Sequence, residues 1–152
     1  MQTRPADFSV FYQWRSAPLP PPHYWEYSIR LGPGPEGRME VTPGYPSPHV
    51  PRWSQRFELY AIQLDSLFQV LVEQGLFDAG IAPASEVPVG SDSQMLVVTA
   101  NGREYHVPAF AAPAQEAAAA LLRAAVVALA PRLIRDTLRA RRDAYAARPT
   151  RP

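Results

Sequence analysis

The stretch Gln94–Val107, QMLVVTANGREYHV, is the strongest fold signal in this chain. Asn101-Gly102 at its centre predicts a two-residue type I′ turn, because that turn needs a positive φ at both positions and Asn and Gly tolerate it best. The alternation on either side predicts two antiparallel strands, with Ala100 opposite Arg103. One face of this hairpin is apolar, so we expect it to face a core.

Two earlier segments also alternate apolar and polar residues with a period of two, which predicts strands. They cover residues 8–15 and 24–31, and residues 38–42 complete an antiparallel hairpin with the second of them. Prolines interrupt the chain at residues 16–22 and 43–54. We interpret both as stiff loops, because proline donates no backbone hydrogen bond and favours an extended conformation.

Two other segments have the composition or periodicity of helices. Residues 55–59 are candidates for an extended stretch before the first helix, whose apolar positions recur every three or four residues at Leu64, Leu67, Phe68 and Leu71. Gly75 is placed to end this helix in a left-handed conformation. The second region, residues 113–147, is rich in alanine, the best helix former, and Pro131 predicts a kink or a break within it.

Together these elements predict a single α+β domain over residues 1–147. Its sheet is mostly antiparallel with four to five strands, and the two helix regions pack on one face of it. The order of elements is ββαββα with an extra N-terminal strand. We expect residues 148–152 to form a disordered basic tail.

Composition excludes several kinds of chemistry. The 152 residues include no cysteine and no lysine, so all 15 basic residues are arginine. There are therefore no disulfides, thiolate nucleophiles, Schiff-base lysines or phosphate-loop lysines. The N-terminal residues lack the apolar run of a signal peptide, and the longest apolar stretch falls short of the roughly 20 residues that span a bilayer. We expect a soluble, cytoplasmic protein with no membrane partner.

No arrangement of residues predicts catalysis or metal binding. The three histidines have no metal-ligand spacing, so we expect neither a metal nor a cofactor. An enzyme would need Glu104, His106 and Asp92 to converge in a cleft, and this is the weakest hypothesis. Asp92 is instead interpreted as a local cap on the backbone where the next strand begins. We therefore expect that the protein is not an enzyme.

Candidates for an interaction surface are Phe11, Tyr24, Arg135, Arg139 and Arg142. The two aromatic residues lie on the polar faces of their strands, where a partner can reach them. The three arginines belong to residues 131–152, which hold seven arginines against two aspartates. Within that region, the spacing of one turn favours a solvated, ion-paired helix face formed by Arg132, Asp136, Arg139 and Asp143.

The favoured function is a non-catalytic protein-interaction module of unknown partner, because no polar residues converge and stiff loops can present a surface. Self-association as a homodimer is one form of this hypothesis, since an alanine-rich helix can pack closely against a second copy. Nucleic-acid binding by the arginine-rich C-terminal helix is a less favoured alternative, because an isoelectric point of about 8.1 is modest for such a protein.

The order of elements over residues 24–130 resembles that of small bacterial ββαββα proteins. The motifs that carry the resemblance are the helix end at residues 71–78, LVEQGLFD, then Ser91-Asp92 before a strand, and the Asn101-Gly102 turn. The emfourin family, proteinaceous inhibitors of thermolysin-like metallopeptidases, is similar in this respect. The resemblance implies a ββαββα fold and an inhibitor-like function, and no functional residues are carried over from it.

Overall fold

A computed structural model describes residues 2–148 of the chain. The strands in this part are β1 (Ser9–Arg15), β2 (Glu26–Leu31), β3 (Glu36–Thr42), β4 (Trp53–Glu58), β5 (Ser93–Ala100) and β6 (Arg103–Val107). The α-helices are α1 (Ala61–Glu73), α2 (Glu116–Val127) and α3 (Arg132–Ala146). A single turn of 3-10 helix, Pro113–Gln115, leads into α2.

The strands form one antiparallel sheet in the order β4-β3-β2-β1-β5-β6. The predicted α+β class and antiparallel sheet are confirmed, but the sheet has six strands rather than four to five. The difference lies in β4, whose first two residues, Trp53 and Ser54, fall in the segment expected to be a loop. Trp53 pairs with Val41 of β3 and its side chain is buried. Because Trp53 pairs and is buried, the strand begins two residues after Pro51, the last proline of that segment.

The predicted register of the hairpin between β5 and β6 is confirmed. The φ angles are 53° at Asn101 and 73° at Gly102, and Ala100 pairs with Arg103. Asp7 holds the turn from outside the hairpin, because its carboxylate accepts the backbone N–H of Asn101 at 2.8 Å and that of Gly102 at 2.7 Å. These two hydrogen bonds, that from Gly102 above all, lower the pKa of Asp7 below its ordinary value.

Replacing Asp7 with asparagine should therefore lower the free energy of unfolding near neutral pH. It should also make that free energy depend less on pH in acid. Because the pKa of Asp7 is lower in the folded protein, its carboxylate stabilises the fold above the unfolded pKa of about 3.9. That contribution is lost as the pH falls through the folded pKa. The melting temperature of wild type should exceed that of Asp7→Asn at about pH 7, and this difference should shrink as the pH is lowered to about 2. Asp78→Asn, at an exposed aspartate, is the control, and a pH-independent difference for Asp7→Asn would contradict this role.

One face of the sheet is buried against the helices. Its side chains come from alternate positions of each strand and join those of the helices in one hydrophobic core. The buried strand residues on this face are Val10, Tyr12, Ile29, Leu31, Met39, Val41, Trp53, Phe57, Leu96, Val98, Ala100 and Val107. The opposite face carries mainly polar residues.

The end of α1 is where the sequence predicts it. Gly75 has a φ of 77°, and the N–H of Leu76 donates to the carbonyl of Leu71 at 3.2 Å. The N–H of Gly75 donates to the carbonyl of Val72 at 3.0 Å. These two bonds define a Schellman motif, and the side chains of Leu71 and Leu76 are both buried.

The helical region after β6 is divided at Pro131. α2 ends at Val127, α3 begins at Arg132, and the two helices are bent by 92°. Proline interrupts the first helix because it has no N–H to donate to the carbonyl four residues earlier. Within residues 2–148 no single helix is long and apolar enough to cross a membrane, although this bent pair meets the criterion by length and composition when joined. The expected tail, residues 148–152, lies outside the described residues except for Arg148.

Candidate interaction surfaces

Of the three residues of the enzymatic alternative, Glu104 and His106 lie together and Asp92 lies apart from them. His106 Nε2 lies 3.6 Å from Oε2 of Glu104, and both side chains are exposed. His106 pairs with Val97 of β5, and Asp92 precedes Val97 by five residues. Five residues of extended chain span about 17 Å, so Asp92 lies far from His106. In the part of the chain that is described, no group of three His, Cys, Asp or Glu residues could hold a metal ion.

Asp92 does not act as the local cap that its loop position suggests. Its Oδ1 accepts the backbone N–H of Ala17 at 2.7 Å. Ala17 lies in the connection that leaves β1, the strand that pairs with β5. The carboxylate therefore links the entry to one strand with the exit from its neighbour, a contact that only the tertiary fold creates.

Three of the five candidate residues lie on α3 near Trp25. These are Arg135, Arg139 and Arg142. The guanidinium carbon of Arg142 lies 5.0 Å from a ring centroid of Trp25, and that of Arg139 lies 6.0 Å away. Arg142 also donates from Nη2 to the carbonyl of His23 at 3.0 Å. These contacts attach α3 to the segment that precedes β2.

The expected ion-paired face of α3 is formed only in part. Arg132 lies 3.5 Å from Asp136, one turn away, as the spacing predicts. Asp143, however, pairs with its neighbour Arg142 at 3.1 Å rather than with Arg139. Arg139 instead approaches an aromatic ring of the sheet, whose negative face attracts a guanidinium group.

Trp25 belongs to a cluster of aromatic rings on the face of the sheet that carries the helices. Its ring centroid lies 4.7 Å from that of Trp14 and 5.6 Å from that of Tyr27. A cavity of about 220 Å³ opens between this cluster and α3. We refer to it as the Trp25 cleft, and its lining residues are Trp25, Tyr27, Met39, Val41, Val127, Arg135, Asp136 and Arg139.

The other two candidate residues lie elsewhere. Phe11 is on the polar face of the sheet, with the guanidinium carbon of Arg30 4.4 Å from its ring centroid. Tyr24 is only 7% exposed, and its ring stacks on that of Tyr45 at 3.8 Å. Burial and the 2.6 Å hydrogen bond that its hydroxyl donates to Glu26 raise the pKa of Tyr24. Tyr24 is thus covered by Tyr45 rather than open to a partner.

The polar face of the sheet also carries a row of arginines that the sequence pattern did not reveal. Arg30 pairs with Arg38, and Arg38 pairs with Arg56 on the next strand. Like charges directly opposite each other destabilise a sheet, and of these three only Arg56 forms a salt bridge within the described chain, to Glu36 at 3.1 Å. Alternation places each arginine on the polar face, but only the register brings them side by side.

An apolar groove of about 280 Å³ lies between α1 and α2. We refer to it as the α1–α2 groove, and it is lined by Ile62, Gln63, Ser66, Leu67, Val70, Ala125 and Leu129. Ile62 at its edge is 73% exposed, and Leu121, one turn before Ala125 on the same side of α2, is 46% exposed. Large apolar side chains are therefore open to the surroundings on both helices.

The exposed face of α2 carries little charge. The exposed residues of this helix are Glu116, Ala117, Ala120, Leu121 and Ala124. Its one arginine, Arg123, is only 5% exposed and donates from Nη2 to the carbonyl of Pro108 at 2.6 Å. Beyond its first residue, α2 therefore presents only alanine and leucine. The alanine-rich composition is visible in the sequence, but the inward orientation of Arg123 is not.

No protein-family model and no curated protein matches the chain. The fold and its surfaces are therefore the basis for assigning a function. They define an α+β protein with a six-stranded antiparallel sheet, a helical face with little charge and an aromatic cleft bordered by arginines.

Proposed function

We propose that this protein is a non-catalytic protein-interaction module that associates with a second copy of itself. The interface in this proposal is the α1–α2 groove together with the exposed face of α2. The observation that carries the proposal is the exposure of Ile62 and Leu121 beside an apolar groove on a face with almost no charge. Contiguous exposed apolar surface commonly marks a protein-binding site.

A second copy fits this surface because the surface offers both a projection and a groove. Leu121 projects from α2, and the groove begins one helical turn away at Ala125. In a twofold arrangement, Leu121 of each copy can enter the groove of the other, and the two contacts are equivalent. Small side chains such as Ala124 let two helices approach to about 8 Å between their axes. The lack of charge means that two identical faces meet without repulsion.

The arginines of α3 support a protein-binding role over binding of nucleic acid. Arg142 is bonded to a backbone carbonyl, and the guanidinium carbon of Arg141 lies 4.6 Å from a ring centroid of Trp53. Phosphate binding depends on cationic groups that are available to a polyanion. Here much of the positive charge of the helix is directed at the protein itself.

Light scattering on the purified protein tests the proposal. At high micromolar concentration we expect the wild type to have twice the mass of one chain. Ala124→Arg places a charge in the middle of the exposed face and should give a monomer with an unchanged circular dichroism spectrum, since arginine is a good helix former. Ala140→Arg makes the same change at an exposed position of α3 and should remain dimeric. A monomeric wild type, or a dimer that Ala124→Arg leaves intact, would overturn the proposal.

A further inference from the structure

We propose that the Trp25 cleft binds a small carboxylic acid with an apolar body, of the aromatic or branched-chain type. This site is separate from the α1–α2 groove, because it lies between the sheet and α3. Its volume of about 220 Å³ is below the roughly 300–1,000 Å³ of pockets that take drug-sized ligands. The ligand is therefore small.

Two guanidinium groups without carboxylate partners border the cleft. Arg135 and Arg139 are four residues apart on α3, a spacing at which like charges repel. Over residues 2–148 neither of them forms a salt bridge, and Asp136, which lies between them, is paired with Arg132 at 3.5 Å. An anion in the cleft would balance this positive charge.

Arg135 is positioned by the protein before any ligand arrives. Its Nε donates to the carbonyl of Ala130 at 2.9 Å, at the break between α2 and α3. That bond leaves the two terminal nitrogens of the guanidinium group for a ligand, and arginine uses such nitrogens to bind a carboxylate through two parallel hydrogen bonds. A side chain that is already ordered loses less entropy on binding.

The remaining walls of the cleft require an apolar ligand body. Met39, Val41 and Val127 are aliphatic, and Trp25 and Tyr27 add aromatic rings. Moving an apolar group from water to contact with such walls contributes about 25 cal/mol of binding free energy for each Å² of apolar surface that is buried. A bare inorganic anion gains nothing from these walls and would lose its hydration.

The charges that line the cleft match a ligand with one negative charge. Arg135 and Arg139 contribute two positive charges and Asp136 contributes one negative charge. A dianion such as a phosphate monoester would bring its second charge close to the carboxylate of Asp136, and like charges repel. A monocarboxylate has no second charge to place near Asp136, and its single charge can lie between the two arginines.

Tryptophan fluorescence of the full chain can report binding, because Trp25 lines the cleft. We expect 3-phenylpropionate to change the fluorescence saturably. Its amide, 3-phenylpropionamide, has the same shape without the charge and should bind at least about tenfold more weakly, since the charge-assisted hydrogen bonds are lost. Arg139→Gln should weaken binding of the acid by a similar factor. Arg103→Gln, at an exposed arginine of β6, should leave it unchanged.

Several results would overturn the proposal. These are the absence of a saturable response to the acid, equal affinities for the acid and the amide, or an Arg139→Gln variant with wild-type affinity. A tetrapeptide that ends in phenylalanine and binds more tightly than 3-phenylpropionate would assign the cleft to a protein C-terminus instead. Circular dichroism monitors folding of each variant. Arg139→Lys, which keeps the positive charge, should lose less affinity than Arg139→Gln.

Discussion

Replacing Arg123 with alanine is expected to destabilise the protein by about 2 to 4 kcal/mol. Arg123 belongs to α2 and its side chain is buried. Its Nη2 donates to the carbonyls of Pro108 at 2.6 Å and Ala109 at 3.2 Å. Its Nη1 lies 3.2 Å from a carboxylate oxygen of Glu116. The substitution leaves two partly buried carbonyls without their donor and also leaves a cavity. Urea denaturation of the variant measures the loss.

Arg132→Ala is the matched control for this prediction. Arg132 is also a helical arginine near a carboxylate, but its side chain is 87% exposed. Surface ion pairs contribute little, so we expect a change within about 0.5 kcal/mol. Equal effects at the two positions would contradict the structural role of Arg123. If Arg123→Ala does not fold, Arg123→Lys provides the comparison, because a lysine cannot reproduce the forked geometry of the guanidinium group.

Replacing Gly37 with alanine is expected to cost about 1 to 3 kcal/mol, although alanine is normally harmless in a strand. Gly37 pairs with Phe57 of β4, and a Cβ at position 37 would lie 2.2 Å from a ring carbon of Phe57. The ring is buried and packs over the glycine, so it must shift from its packed position to make room. The cost comes from this collision and would appear as a lower urea midpoint.

A control glycine and a double-mutant cycle isolate the collision. A Cβ added at Gly34 would have nothing within 4 Å, so Gly34→Ala should be neutral or slightly stabilising. In a Phe57→Leu background, the cost of Gly37→Ala should fall, because the ring atoms that it meets are gone. An equal cost in the two backgrounds would show that the collision with Phe57 is not the cause.

The parts of the fold that depend on local backbone preferences could be predicted from the sequence. The turn at Asn101-Gly102 and the end of α1 at Gly75 both need a positive φ, which the residue itself favours. β4 was harder to predict, because Gln55 interrupts the apolar alternation between Trp53 and Phe57. An edge strand with a polar residue on its inward face shows only a weak apolar alternation in the sequence. β4 forms because it pairs with β3, and the sequence pattern does not show that pairing.

The candidate surfaces depend more on tertiary packing. The spacing of Arg135, Arg139 and Arg142 places them near one another on α3, so their proximity could be predicted. The Trp25 cleft could not, because it depends on the 92° bend that directs α3 across the sheet. Tyr24 is buried by Tyr45, which comes from a loop about 20 residues later. No periodicity in the sequence reports such a contact.

A distance between two spin labels tests self-association through α2 most directly. The chain has no cysteine, so Ala117→Cys, at an exposed position near the start of α2 and away from the packed Ala124, provides one labelling site per copy. If the α2 faces meet, the axes of these 12-residue helices lie about 8 to 10 Å apart, and we expect an intermolecular distance below roughly 35 Å between the labels. Labels at Ala140→Cys should lie farther apart. A labelled dimer without this short distance at position 117, or an unlabelled wild type that stays monomeric, would contradict self-association through α2.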